Sequence, residues 1–308
     1  MPRDRYRWLK KDFISPNTEL SGPDVTSGAV SLHTPLEYFQ MFVSEDMIQA
    51  LTEHTNQYSF QKTGTTINTN TKEIEQMIGM YLKMGLVQMS GVRMYWESHS
   101  RYAPVSDMMS RHRFQSLLTS LHFVNNLTMP ETMKKDKLWK FRPWLDSFRE
   151  KCLQVVPEEH NSVDGMMIPF KEKFSSIKQY TQGKPQPWGF KLWVRTGISG
   201  MLCDFDVYQG SVDGKRAKSE LGMSGDVVMK LASTLPGGQN YKVYADNFFT
   251  CVPLVVRLLD RGIHYVGTAR QVCLPNCNLD DEKILKQKGR GSSDNRVEAN
   301  HNMCCQVV

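Results

Sequence analysis

The chain has 308 residues, a length that suggests one large domain or two ordinary ones. Its hydrophobic content of 40% and charged content of 23% are those of a globular protein, and its net charge of +6 is a mild basic excess compatible with nucleic acid. No stretch approaches the roughly 18 apolar residues of a membrane span. Residues 1–12 lack the apolar core of a secretory signal, so we expect a soluble, intracellular protein without a membrane partner.

Residues 1–33 are rich in Pro, Gly, Ser and Thr and show no sustained hydrophobic period, which predicts a disordered tail. The pattern changes at Thr34, a helix-capping residue that precedes Pro35 at the first helical position and Glu37 three residues after the cap. The sequence therefore predicts that an ordered helical region begins at residue 34.

Residues 34–150 are predicted to form a helical region. After the helix that follows Thr34, three more apolar stripes with the 3.6-residue period begin near Asn70, Ser110 and Pro143. A polar, lysine-rich connection over residues 125–140 separates the last two of them.

Residues 151–308 contain the short apolar runs that are typical of strands. The predicted strands are 162–170, 190–195, 202–208, 241–245 and 264–268, and the predicted helices begin at Gly225 and Val252. An antiparallel meander of three strands, followed by strands that alternate with helices, predicts a mixed sheet with helices on its faces. The fold class predicted from the pattern is therefore α+β.

The cysteine pattern predicts free thiols in a reducing compartment. The count of seven is odd and the residues are scattered: Cys152, Cys203, Cys251, Cys273, Cys277, Cys304 and Cys305. The pair four residues apart is not followed by a second pair at zinc-finger spacing, so no zinc is expected.

Two aspartates lie within or at the end of predicted strands that are otherwise apolar. Asp164 lies inside an otherwise apolar run, and Asp246 ends a strand and is followed by an apparent strand-to-helix turn. If the first and fourth strands lie side by side, both carboxylates reach one site, where oxygen ligands on a rigid sheet suit Mg²⁺. A metal at such a site assists displacement at a phosphodiester.

The alternative interpretation is that both aspartates have purely structural roles. Asp246 is also a good helix N-cap residue, and Asp164 is also a plausible turn residue before a strand that starts at Met166. The pattern alone leaves both interpretations open.

Several motifs in order along the chain resemble those of piggyBac-type transposases. In the sheet region these motifs are SVD at 162–164 with MMIPFK at 166–171, KPQPWGFKLW at 184–193, YADNFFT at 244–250 and GTAR at 267–270. PLEYF near residue 35 and LHFVNN at 121–126 are similar to that family's helical region. The resemblance covers roughly residues 34–305.

The resemblance implies a helical dimerisation and DNA-binding region at 34–150 and an RNase H-like catalytic domain from 151, in a family that uses three aspartates with Mg²⁺. Asp164 matches the first aspartate and Asp246 the second, which makes them the expected catalytic and metal-binding residues. The third lies later in the family and has no counterpart here, so we expect a C-terminally truncated domain at 151–308. Gly165 also departs from the family, whose members commonly carry an acidic residue there.

The same resemblance implies DNA as the partner, a nuclear location and a homodimer. The residues expected to contact DNA phosphates are Lys171, Lys191, Lys215, Arg216 and Lys218. Lys184 and Arg195, which lie near Trp188 and Trp193 in the sequence, belong to the same expected basic surface.

Three functions remain open on the sequence. The first is a transposon-derived DNA-binding protein without catalysis, which the missing third aspartate favours. The second is a Mg²⁺-dependent nuclease or strand transferase that obtains a third carboxylate from elsewhere. The third is a truncated product without function, whose incomplete sheet would expose apolar surface.

Overall fold

The computed structural model divides the chain into two compact units, Val30–Cys152 and Met1–Ala29 with Leu153–Val308. The residues that it describes are 6–22, 32–170, 175–210, 219–299, 301 and 303–307. Within these ranges no helix is long and apolar enough to cross a membrane.

The helices of the first unit begin at the capping residues that the sequence predicts. They are α1 (Pro35–Phe42), α2 (Glu45–Thr63), α3 (Thr71–Leu86), α4 (Ala103–Ser106), α5 (Arg111–Ser120) and α6 (Arg142–Leu153). Thr34 forms a full capping box with Glu37, and the side chains of Asn70 and Ser110 accept hydrogen bonds from the backbone of α3 and α5. Each cap satisfies an N–H group that the helix itself leaves unpaired.

Helix α2 was not predicted, although at 19 residues it is a long element. Its buried face continues from Met47, Ile48 and Leu51 into Thr52 and Thr55. Because those last positions are polar, the apolar period fades within one turn. The hydroxyl of Thr52 donates to the carbonyl of Ile48, so its burial leaves no polar group unpaired.

One apolar core holds the helices of this unit together. Its most buried members come from α2, α3 and α5: Ile48, Leu51, Ile74, Met77, Met80, Phe114 and Leu117. Burying each of these larger side chains contributes roughly 1.5–3 kcal/mol.

Arg113, in the basic start of α5, has a structural partner. Its guanidinium forms a bidentate ion pair with Glu73 of α3, with N–O distances of 3.0 and 2.6 Å, and also donates to the carbonyl of Ile67. The hydrogen bonds from Arg113 hold the pKa of Glu73 below its usual range. The unfavourable position of a cation at a helix N-terminus is thus offset by a specific ion pair.

The second unit is built on a mixed sheet. Its elements are β1 (Trp8–Leu9), β2 (His160–Pro169), β3 (Gln179–Tyr180), β4 (Trp188–Gly197), β5 (Leu202–Val207), α7 (Gly222–Ala232), β6 (Lys242–Ala245), α8 (Val252–Asp260), β7 (His264–Gly267), α9 (Glu282–Lys288), β8 (Asp294–Glu298) and β9 (Cys304–Val307). The main sheet has the order β3-β4-β2-β6-β7, with β5 also paired to β4. Strand β2 is antiparallel to β4 and parallel to β6, so the predicted α+β class with a mixed sheet is confirmed.

Helices α7 and α8 cover one face of this sheet. Val228 and Leu231 of α7 and Leu254 of α8 are fully buried in a core that includes Val163 of β2 and Val243 of β6. The core therefore contains the inward-facing residues of the two strands that carry the aspartates.

Residues 6–22 correct the expectation of a disordered tail, because this segment makes defined contacts. Strand β1 pairs antiparallel with β8, which in turn pairs with β9, and Tyr6 is buried. Further on, the backbone N–H of Ser21 donates to the carbonyl of Gln239. The segment's composition gave no sign of this order, because its partners lie more than two hundred residues away in the sequence.

Arg195 does not lie on the basic surface where the sequence analysis placed it. It is only 1% exposed and donates to the carbonyl of Leu231, to Asn161 Oδ1 at 2.7 Å and to Thr234 Oγ1 at 3.0 Å. Thr234 donates in turn to the fully buried Asp204 at 3.1 Å. This network joins β2, β4 and β5 to the end of α7, so Arg195 supports the sheet and is not available to DNA.

Replacing Arg195 with Met should lower the free energy of unfolding by about 3 kcal/mol or more, because a buried polar network loses its central cation. Urea denaturation of the whole chain measures this. The control is Lys230→Met, which removes an exposed ion pair with Asp206 and should cost at most about 1 kcal/mol. Equal, small losses in the two variants would contradict the structural role of Arg195.

Candidate functional site

The pairing of β2 with β6 brings the two aspartates together. The strands run parallel with Val163 opposite Ala245, so the next residues, Asp164 and Asp246, leave the paired region at the same level. Neighbouring strands are about 4.8 Å apart. Both residues are exposed, so they reach solvent at neighbouring positions where the pairing of the two strands ends.

Asp164 lies within a strand and not in a turn. Strand β2 extends on both sides of it, which excludes the interpretation of a turn before Met166. Its Oδ1 accepts a hydrogen bond from the backbone N–H of Gly165 at 2.6 Å, and its Oδ2 accepts one from Lys184 Nζ at 3.2 Å. The carboxylate is 58% exposed, so these contacts leave room for a further ligand.

Asp246 forms the turn that follows β6, but it does not cap α8. Its Oδ1 accepts from the backbone N–H of Phe248 at 2.9 Å, the hydrogen bond of an Asx turn. The N-cap position of α8 is occupied by Cys251. The alternative role of Asp246 as a helix N-cap is therefore wrong.

A pair of hydroxyl groups holds the turn in place from behind. Thr250 Oγ1 donates to the carbonyl of Asp246 at 2.9 Å and lies 2.7 Å from the hydroxyl of Tyr265 on β7. Burial raises the pKa of Tyr265 to about 12. Its phenol therefore stays protonated at neutral pH, and the Thr250–Tyr265 hydrogen bond persists.

Lys191 lies against two aromatic rings. Its Nζ is 4.0 Å from the ring centroid of Trp193 and 5.0 Å from that of Phe248, and the two rings are stacked 5.7 Å apart. Burial, followed by the nearby charge of Lys184, lowers the pKa of Lys191, while Asp164 and Asp246 oppose that shift. Cation–π contacts thus fix a partly desolvated ammonium within electrostatic reach of both aspartates.

Gly165 leaves the space that Lys191 occupies. A Cβ at this position would lie 3.3 Å from Lys191 Cε and 3.3 Å from Trp193 Cζ3. A side chain at residue 165 would therefore press on both the lysine and the ring that supports it. The absence of a side chain at residue 165 therefore has a local physical consequence.

The two aspartates have the ligand type that a magnesium ion would use. Carboxylate oxygens on adjacent strands are hard donors, and their exposure leaves space for the waters that Mg²⁺ retains. Across the described ranges, no group of three or more His, Cys, Asp or Glu residues is placed to hold a metal. The site therefore fits a cation held by two carboxylates and water.

The predicted DNA contacts divide into two groups. Lys191 is described and lies at the site, whereas Lys171, Lys215, Arg216 and Lys218 lie outside the described residues. Sequence reasoning missed the contact of Lys184 with Asp164 and the place of Phe248 over Lys191. A signal was available for Phe248, because it follows Asp246 by two residues in the turn at the end of β6.

The architecture is that of a transposase. A solved structure, the cryo-EM structure of a piggyBac transposase synaptic complex with hairpin DNA, superimposes with a TM-score of 0.70. The alignment covers 86% of this chain and 56% of that chain at 22% identity, which establishes the fold. The family model described as Transposase IS4 matches residues 34–308, and the chain belongs to this family of piggyBac-type transposases.

Two human relatives are similar in sequence to most of this chain. PiggyBac transposable element-derived protein 3 is 29% identical over 282 residues, which are 89% of this chain and 46% of that protein. PiggyBac transposable element-derived protein 2 is 30% identical over 299 residues, which are 94% of this chain and 49% of that protein. The chain thus spans about half the length of the curated relatives it matches.

Replacing Thr250 with Val should destabilise the turn that carries Asp246. The change removes two hydrogen bonds and leaves the Tyr265 hydroxyl without its partner, so we expect a loss of about 1–2 kcal/mol in urea denaturation. Tyr265→Phe removes one of the two bonds and should cost less. Wild-type stability in both variants would contradict the role assigned to this hydroxyl pair.

Proposed function

We propose that this chain is a transposase-derived DNA-binding protein that holds a phosphodiester backbone at the Asp164–Asp246 site without cleaving it. The observation that carries the proposal is the Lys191 ammonium group held against the Trp193 and Phe248 rings, together with Lys184 paired to Asp164. The DNA in the synaptic complex of the related fold supports the choice of partner.

Lys191 is the proposed central phosphate contact. Its ammonium is held by Trp193 and Phe248, so little side-chain entropy is lost when a phosphate oxygen binds. Lys171, Lys215, Arg216 and Lys218, which lie outside the described residues, are also proposed to contact the DNA backbone. Such contacts carry affinity but no sequence preference.

Lys191→Met should weaken binding of duplex DNA by roughly three- to tenfold and reduce the slope of log K against log salt by about 1. Fluorescence anisotropy over a salt series measures both quantities. Lys230→Met, which removes an equal charge from α7, is the matched control. If the control weakens binding as much as Lys191→Met, the loss reflects the total charge of the chain and not a phosphate contact by Lys191.

No binding by the folded wild-type chain at low salt would exclude the DNA-binding function. That result would favour the interpretation of a product without function. A preference for a transposon-end sequence over a scrambled one would instead connect binding with transposase ancestry.

The absence of cleavage is proposed because Lys184 engages the carboxylate of Asp164. Cleavage is the second candidate, favoured by the shared level of Asp164 and Asp246 on adjacent parallel strands. In that case the two aspartates would hold Mg²⁺, which would stabilise charge on the reacting phosphodiester.

Incubation of supercoiled plasmid with Mg²⁺ or Mn²⁺ distinguishes the two candidates. We expect the wild-type chain to nick DNA no faster than Asp164→Asn. Nicking by the wild type that is lost in both Asp164→Asn and Asp246→Asn would establish the enzyme and contradict the proposed lack of cleavage.

We further propose a nuclear location and a homodimeric state. Both follow from family membership and from DNA as the partner. Light scattering of the purified chain tests the dimer, and imaging of the tagged chain tests the location. A monomer at all concentrations would exclude the proposed dimer.

A further inference from the structure

A small apolar cluster of the second unit brings together two cysteines that lie far apart in the sequence. Cys277 is 1% exposed and belongs to the core of this cluster with Val252 and Leu274, and Cys305 of β9 packs against the same cluster. The two thiols are hydrogen-bonded to each other. The cluster is built on α8, on the segment between β7 and α9 and on the chain termini, away from the strands that carry the aspartates.

We propose that Cys277 and Cys305 form an oxidisable dithiol, in which a peroxide converts the two thiols into a disulfide and a thiol reductant restores them. The disulfide joins the loop that precedes α9 to β9, the last strand of the chain, and so fastens that strand to the apolar cluster. The proposal is independent of DNA binding and of the two aspartates.

The alternation of side chains along β9 directs one of its two cysteines at Cys277. Cys305 lies opposite Arg296 in the antiparallel pairing of β9 with β8, and Cys304 lies opposite Val297. Successive side chains of a strand point to opposite faces, so Cys305 lies on the face that packs on the cluster and the exposed Cys304 lies on the other. Cys304 is therefore a natural control for Cys305.

Cys277 is the nucleophile of the pair. The hydrogen bond from Cys305 lowers the pKa of the Cys277 thiol; burial opposes this shift, and the charge of Arg296 assists it. The same hydrogen bond, followed by burial, raises the pKa of Cys305, which therefore keeps its proton. Because the thiolate and not the thiol is the reactive form, Cys277 reacts first.

Hydrogen peroxide is the proposed oxidant, since it is small and uncharged and can reach a buried sulfur. The Cys277 thiolate attacks one peroxide oxygen, the O–O bond breaks, and a sulfenic acid forms while the departing hydroxide takes the proton that Cys277 had released. The sulfur of Cys305 then attacks the sulfenic sulfur and the S–O bond breaks. The second hydroxide takes the proton of Cys305, so two thiols and one peroxide give one disulfide and two waters.

Mass spectrometry of the whole folded chain tests the bond. After peroxide treatment and alkylation of free thiols, a tryptic digest without reductant should contain the peptide of Cys277 joined to that of Cys305, and dithiothreitol should separate them. Cys273 and Cys304 lie in the same two peptides, so variants identify the bonded pair. Cys277→Ala and Cys305→Ser should each lose the joined peptides, whereas the matched controls Cys273→Ser and Cys304→Ser should retain them.

Two results would overturn the dithiol. One is a folded wild-type chain that gives no joined peptides at a peroxide concentration that oxidises its exposed thiols. The other is joined peptides that persist in Cys305→Ser. Cys305→Ser changes a partly exposed residue, so it decides the question even if Cys277→Ala at the buried position does not fold.

Hydrogen exchange tests the fastening of β9. In the oxidised wild-type chain, the backbone amides of β9 should exchange about tenfold more slowly than in the reduced chain, because local opening of the strand is restricted. Peroxide-treated Cys305→Ser should show no such slowing. Unchanged exchange in a chain that carries the disulfide overturns the fastening of the strand.

Discussion

The parallel pairing of β2 with β6 is the constraint on which the site depends. Val163 and Val243 face the core beneath α7 and α8, so their burial fixes which residues of the two strands face solvent. A slip of one residue would bury a carboxylate and expose a core side chain. The register that satisfies the core is also the one that places Asp164 and Asp246 at one level.

Charge balance is the second property that follows from this register. Two carboxylates at one level would repel each other and any phosphate, but Lys184 pairs with one of them and Lys191 lies within electrostatic reach of both. Lys191 reaches this position because residue 165 has no side chain.

The sequence was most informative where structure is local. Capping residues such as Thr34 and the alternation of strands with helices gave the fold class, because these signals depend on near neighbours. Helix α2 was missed because threonines occupy its buried face. Arg195 was taken for a surface cation because its partners on β2 and at the end of α7 are brought to it only by folding. The contact of Lys184 with Asp164 was missed for the same reason, since it depends on the turn that precedes β4.

The most direct test of a single site shared by two aspartates and two lysines is paramagnetic relaxation by Mn²⁺, observed in the NMR signals of labelled lysine side chains. Small additions of Mn²⁺ should broaden the signals of Lys184 and Lys191 first, as assigned with arginine variants of each. Asp246→Asn should abolish the effect. Broadening spread evenly over the lysines, or unchanged by Asp246→Asn, would contradict the shared site.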